Sequence, residues 1–235
     1  MSTLSGGPNI VVDGLVLALD AANTKSYVSG STAWRDLSRS NSNGTLINGP
    51  TFNTGSSGGI SFDGTNDYVE IPDSPSLNFG TGDFTVLCWV GGVPVYPGGA
   101  KTIIWKGSRF DGNLAGWSIV WASEPQDLYF AIGSSTTRLE ARTNPSFGLN
   151  GWNGYKMIGM QRVGGNWRQI HNGVSTSLGT FTGNVDNTLP INISRNGFYD
   201  SYLRSIVSGT YIYNRALSST ELLQNYNATK TRFGL

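Results

Sequence analysis

Phe84-Thr85-Val86-Leu87-Cys88-Trp89-Val90 is near-continuously apolar, which is how a strand buried on both faces reads. Short apolar runs surround it: Leu15–Leu19, Gly59–Phe62, Asp67–Ile71, Ile103–Trp105, Trp117–Trp121, Leu128–Ile132, Tyr155–Met160 and Trp167–His171. Ile191–Ser194 and Thr210–Tyr213 alternate apolar and polar residues, the period of a half-buried strand. Asn-Gly pairs at 43–44, 48–49, 150–151, 153–154, 172–173 and 196–197 punctuate these runs. Both residues tolerate the positive φ that hairpin turns require. Many short strands with such punctuation, and no alternation of strand and helix, predict an all-β chain: a two-sheet antiparallel sandwich.

The composition agrees. The chain has 235 residues, 38% of them hydrophobic and 11% aromatic, enough for a sizeable core in one domain. Gly accounts for 32 residues, about twice its usual share. Lys plus Arg number 16 and Asp plus Glu 15, a net charge of +1 with no basic run. A nucleic-acid partner, which needs a basic surface, is not expected. No apolar run approaches the ~18 residues of a membrane span, and the N-terminus has no basic region of a signal peptide. Cys88 is alone, so no internal disulfide forms, and its apolar neighbours mark a buried thiol.

One helix is expected, near residues 219–229. Ser218 and Glu221 have the spacing of a capping box, and Leu222, Leu223 and Tyr226 share one face. A helix this short is unstable alone in water, so it must dock on the sandwich. Residues 1–12 read as an N-terminal arm and residues 13–235 as the folded domain. Ile10, Val11 and Val12 offer an apolar strand that could pair with a neighbouring subunit and so serve assembly. Folding back along its own sandwich is the alternative for this arm.

The chemistry-bearing residues are sparse, and no catalytic residue is assigned. Glycoside hydrolysis needs two carboxylates close together. The four glutamates, Glu70, Glu124, Glu140 and Glu221, have no carboxylate at i+2 or i+4. His171 is the only histidine, which rules out a multi-imidazole site, and it reads as an exposed residue at a strand end. Calcium is the one cofactor the composition leaves open, with Asp63, Asp67, Asp111 and Asn113 as candidate ligands. Asp63 and Asp67 flank a Gly-Thr-Asn turn, which explains them without a metal. Seven Trp residues suggest sugar stacking; the candidates are Trp117, Trp121, Trp152 and Trp167, with core packing as the competing role.

Four separated segments then carry a resemblance. Gly14-Leu15-Val16-Leu17-Ala18-Leu19-Asp20-Ala21-Ala22-Asn23, Trp34-Arg35-Asp36-Leu37-Ser38, Ile60-Ser61-Phe62-Asp63-Gly64-Thr65-Asn66-Asp67-Tyr68-Val69 and Tyr211-Ile212-Tyr213-Asn214-Arg215-Ala216-Leu217-Ser218 follow in that order. They resemble LamG-like jelly rolls of the concanavalin A-like lectin/glucanase superfamily, over about residues 13–228. The resemblance implies that the first strand lies beside the last. Asp20-Ala21-Ala22-Asn23, Trp34 and Leu37, with the ending Tyr226-Asn227-Ala228 and Arg232-Phe233-Gly234, resemble single-domain structural proteins in virions of tailed phages with marine and cyanobacterial hosts. The expected function is then a non-enzymatic virion subunit, a capsid decoration or tail-fibre component. Its partners would be other virion proteins or copies of itself, and host-surface glycan. A free carbohydrate-binding lectin and a divergent glycoside hydrolase are the alternatives. The family's acidic residue before the last strand is missing from Ile206-Val207-Ser208-Gly209-Thr210-Tyr211, which argues against a family-type calcium site.

Overall fold

The structure, a computed structural model, describes residues 9–55, 58–93, 99–107, 115–122, 127–142, 154–197 and 201–235. In chain order its strands are β1 (Leu15–Asp20), β2 (Ala33–Trp34), β3 (Gly44–Ile47), β4 (Thr51–Asn53), β5 (Gly59–Asp63), β6 (Tyr68–Ile71), β7 (Phe84–Gly91) and β8 (Ala100–Gly107). They continue with β9 (Gly116–Ala122), β10 (Asp127–Gly133), β11 (Arg138–Arg142), β12 (Tyr155–Val163), β13 (Asn166–His171), β14 (Val174–Thr180), β15 (Ile191–Ile193) and β16 (Arg204–Tyr213). A helix, α1 (Ser219–Thr229), closes the chain with a 3-10 turn at Lys230–Phe233. The strands form two antiparallel sheets. The first runs β14-β13-β12-β7-β16-β5-β4, with β1 also on β16. The second runs β11-β10-β9-β8-β15-β6-β3-β2. The expected neighbouring of first and last strands holds, with Leu17 opposite Ile212 and Leu19 opposite Thr210.

The double-sided burial of β7 has a simple cause. Phe84, Val86, Cys88 and Val90 point between the sheets, into a core shared with Trp117, Ile119 and Trp121 of β9 and Phe130 of β10. Leu87 and Trp89 point the other way, under α1, with Met157, Ile170, Tyr211, Tyr213 and Leu222. The first sheet is therefore apolar on both sides. Burial pushes the Cys88 thiol up to about 12, so it is a core residue and not a nucleophile.

Local chemistry fixes the elements. Asn172 (φ 48°) and Gly173 (φ 83°) make the tight β13–β14 hairpin, as the Asn-Gly reading required. Asn48 and Gly49 also have positive φ, but they carry the chain from β3 in the second sheet to β4 in the first. A bulge between Thr102 and Ile104 lets Ile103 and Ile104 both reach the core. The Asp36 carboxylate accepts from the backbone N–H groups of Ala18, Ser38 and Ser42 and from the Ser38 hydroxyl, which ties β1 to the loop after β2. At the start of α1, Ser218 and Glu221 form the expected capping box. The Arg215 guanidinium beside it, and then the Ser218 N–H, hold the Glu221 carboxyl down at about 2.

The described part of the arm, residues 9–12, follows the fold-back alternative. Val11 donates its N–H to Asn225 Oδ1 at 2.8 Å, and Tyr213 donates its hydroxyl to the Val11 carbonyl at 3.0 Å. Gln224 Nε2 donates to the Asn9 carbonyl. Val11 is buried and Ile10 packs on the same cluster, while Val12 is 74% exposed. The backbone groups of Val11 are thus satisfied by the chain's own helix, and residues 9–12 form no strand. Residues 1–8 lie outside the described residues.

Candidate functional site

Alternation along the second sheet decides which side chains leave the core. On β9, Trp117, Ile119 and Trp121 face inward, so Ser118 and Val120 face outward. On β15, Ile191 and Ile193 face inward and Asn192 outward. Register then aligns one outward row across six strands: Glu70, Asn192, Trp105, Ser118, Ala131 and Glu140. The middle of the row is closed. Ser118 and Asn192 are 0% and 1% exposed, and the Gly197 backbone lies against the Trp105 ring. Among the described residues the Ser118 hydroxyl and Asn192 Oδ1 have no hydrogen-bond partner, an unusual state for buried polar atoms.

The row is more open at its Glu70 end. Tyr68, two residues before Glu70, shares the outward face and is half-buried. The Arg195 guanidinium sits 4.5 Å from the Tyr68 ring centre, and the Tyr202 ring centre lies 6.4 Å from it. Arg195 Nε is also buried without a partner. One corner therefore combines the half-buried Tyr68 ring, the Glu70 carboxylate and the Arg195 guanidinium, with the Tyr202 ring and the Asn192 carboxamide buried beside them. Such a set can stack on a flat, polar-edged ligand and hydrogen-bond its rim.

The candidates read from the sequence fall elsewhere. Trp117, Trp121 and Trp167 are each 1% exposed or less and lie in the core between the sheets, so none presents a ring to a sugar. Their shared face was readable from spacing, but it is the inward one. Trp152, Asp111 and Asn113 lie outside the described residues. Asp63 Oδ1 accepts from the Thr65 and Asn66 N–H groups, and Asp67 Oδ2 accepts from the Asp63 N–H. Backbone donors hold the Asp63 carboxyl below the usual range, while burial raises Asp67. Both serve their turn. No group of three or more His, Cys, Asp or Glu able to hold a metal occurs among the described residues. Nor, among them, is any helix long and apolar enough to cross a membrane.

The carboxylates of the row are far apart. Glu70 and Glu140 are separated by five strand spacings, about 24 Å along the sheet. Paired glycosidase carboxylates stand about 5–9.5 Å apart, so these two cannot act together on one bond.

His171 departs from its expected exposure. It is half-buried at the end of β13, and burial, aided by the Lys156 charge, pushes its imidazole down to about 4. An unfolded histidine titrates near 6.5, so below that pH the unfolded chain binds a proton the native one refuses. Stability is expected to be full above pH ~6.5 and to fall by up to ~3 kcal/mol as pH drops to ~4. Melting curves from pH 8 to 4 check this: the His171→Gln variant should show a shallower decline than wild type, and identical slopes would refute it.

A family model described as the concanavalin A-like lectin/glucanases superfamily, Laminin_G_3, matches residues 63–223, well over half of the chain. The chain belongs to this family. Among solved structures, the Laminin_G_3 chain is similar to the binding domain of Paraclostridial mosquitocidal protein 1, with TM-score 0.72 and 20% identity over 92% of this chain and 52% of that one. It is also similar to the binding domain of botulinum neurotoxin DC in complex with SialylT, with TM-score 0.72 and 16% identity over 92% and 52% of the two chains. Trypanosoma rangeli sialidase matches with TM-score 0.69 and 16% identity, over 97% of this chain and 36% of the sialidase. At these identities the likeness is one of fold. The chain spans about half the length of the toxin binding domains it matches. No curated protein matches its sequence.

Proposed function

We propose that this jelly roll is a non-catalytic recognition subunit of a viral particle, packed among virion proteins and touching host-surface glycan through the Tyr68–Glu70–Arg195 corner. The observation that carries the glycan part is the half-buried Tyr68 ring, stacked by the Arg195 guanidinium and flanked on the same strand face by Glu70. A saccharide supplies hydroxyl groups for a carboxylate and a guanidinium and C–H faces for a tyrosine ring. The fold supports the reading, since a solved neighbour of the same architecture is a binding domain captured with SialylT. The separation of Glu70 from Glu140 supports binding without hydrolysis. The viral setting rests on Asp20-Ala21-Ala22-Asn23, Trp34 and Leu37 together with the ending Tyr226-Asn227-Ala228 and Arg232-Phe233-Gly234.

Glycan-array binding by wild type and variants tests the site. Glu70→Ala truncates a half-buried side chain at the open end of the row, so the melting temperature should stay within a few degrees of wild type. Binding should nevertheless fall about tenfold or more, the worth of one or two good hydrogen bonds. Tyr68→Ala should lose binding in the same way. Unchanged binding in both variants would place recognition elsewhere. Release of reducing sugar by wild type would refute the non-catalytic reading. Failure to co-purify with intact particles would refute the viral one.

A further inference from the structure

A sheet edge is a row of unpaired backbone donors and acceptors, and proteins usually blunt it with short strands or charge. Four of the five edges here are blunted. β2 and β4 have two and three residues. β1 is covered by its own loop: Ala18 N–H donates to Asp36 Oδ1, Asp20 N–H to Ser26 Oγ, and the Ala18 carbonyl accepts from Leu37 N–H. β11 carries Arg138, Glu140 and Arg142, all exposed, along its five residues. The fifth edge is different. β14 runs seven residues, Val174-Ser175-Thr176-Ser177-Leu178-Gly179-Thr180, with no charge and no proline. It ends the first sheet, paired only with β13 among the described residues. Its residues are exposed or half-buried throughout.

An apolar shoulder accompanies this edge. A groove of about 440 Å³ runs beside β14 and the start of α1, and Val163, Val174, Leu217 and Leu223 line it. Val163, Val174 and Leu223 are 37%, 66% and 48% exposed. These are three of the seven large hydrophobic side chains exposed among the described residues, gathered at one place. The Ser175 carbonyl accepts from Arg168 Nη2 at 3.2 Å; beyond it, a neutral edge strand and bare aliphatic surface coincide.

We propose that β14 pairs antiparallel with β14 of a second copy of this chain, about a two-fold axis at Ser177, joining the two first sheets into one. A second copy is the occupant that the chemistry favours. The strand is neutral, so it meets itself without like-charge repulsion, and the whole chain carries a net charge of only +1. An antiparallel strand is self-complementary under a two-fold axis, which makes the contact closed and isologous. Within the arm, Val11 is tied to Asn225 and Tyr213 of its own chain.

Ser177 is the midpoint, so its replacement meets its own copy across the axis. Sedimentation equilibrium of the full chain over a hundredfold concentration range should show wild type passing from monomer to dimer. Ser177→Lys and Ser177→Glu should each shift that midpoint at least tenfold toward monomer. An equimolar mixture of the two variants should dimerise again, because Lys and Glu then face each other. Melting temperatures within a few degrees of wild type confirm that each variant is folded; Glu140→Lys on the β11 edge should leave dimerisation unchanged. A wild type that stays monomeric throughout, or a dimer indifferent to both Ser177 variants, overturns the proposal. So does a wild type that associates only with a different particle protein. Loss of glycan binding would leave this result untouched, so the two readings fail separately.

Discussion

Arg162→Leu is expected to destabilise the domain by about 3–5 kcal/mol and to lower its melting temperature by roughly 10 °C or more. Arg162 is 0% exposed inside an otherwise apolar region. Its Nε donates to the Gly82 carbonyl at 2.7 Å, Nη1 to the Gly183 carbonyl at 2.7 Å, and Nη2 to the Gly80 and Gly82 carbonyls. The Phe84 ring lies under the guanidinium, 5.4 Å away. Burial lowers its affinity for the proton, and the nearby Asp83 and Asp186 charges oppose that. A guanidinium remains charged even so, and its planar fork can reach three carbonyls at once. The effect is to pin the 80–83 loop and the 183 turn to β12. Leucine fills part of the volume but satisfies no carbonyl, and each abandoned bond to a charged group costs about 1.5–3 kcal/mol. Arg162→Lys should fall between, since one ammonium cannot span all three acceptors. Thermal unfolding decides it. A melting temperature for Arg162→Leu within 3 °C of wild type would mean that these carbonyls need no protein donor.

That arginine shows what pattern reading leaves out. Periodicity placed β7, β9, β10 and β16 because their burial is set by neighbours two residues apart along one chain. It placed α1 and its cap because Ser218 and Glu221 act within one turn. Arg162 sits in Tyr155–Val163 and would be read as a solvent-facing end residue. Its acceptors come from Gly80, Gly82 and Gly183, far away in sequence and carrying no side chain to advertise them.

The Tyr68–Glu70–Arg195 corner was hidden for a related reason. Spacing shows that Trp117 and Trp121 share a face, but not that this face is the inner one. Which side is inner depends on the partner sheet. Ser118 between Trp117 and Ile119, and Asn192 between Ile191 and Ile193, were the available signal: a small polar residue between two large apolar ones marks the outward direction. Glu70, Asn192, Trp105 and Ser118 then meet only through register across β6, β15, β8 and β9. Likewise, three apolar residues at 10–12 suggested a strand, whereas the hydroxyl of Tyr213 and the carboxamide of Asn225 capture the backbone of Val11 first.

Trp89→Ala is expected to cost a further about 3–5 kcal/mol, as deletion of a buried indole usually does, but with a different signature. Trp89 is 1% exposed on the helix side of β7. It stacks with Tyr226 at 5.7 Å and lies 4.5 Å from Phe233, and Phe233 in turn stacks on Tyr155 at 4.3 Å. Its Nε1 donates to Thr229 Oγ1 at 2.8 Å. The contacts therefore join β7 to the middle and end of the C-terminal segment. An eleven-residue helix has little stability of its own, so its docking depends on this indole. Hydrogen exchange should show protection lost over residues 217–233 first, with β7, β9 and β10 keeping theirs. Thr229→Val separates the two contributions. It keeps the stacking and abandons one buried N–H, which should cost about 1–3 kcal/mol without freeing the helix. A uniform loss of protection in Trp89→Ala would mean that helix and sandwich unfold as one unit. Protection lost first at the helix would show that the outer apolar cluster is a separate cooperative unit laid on a sandwich that stands without it.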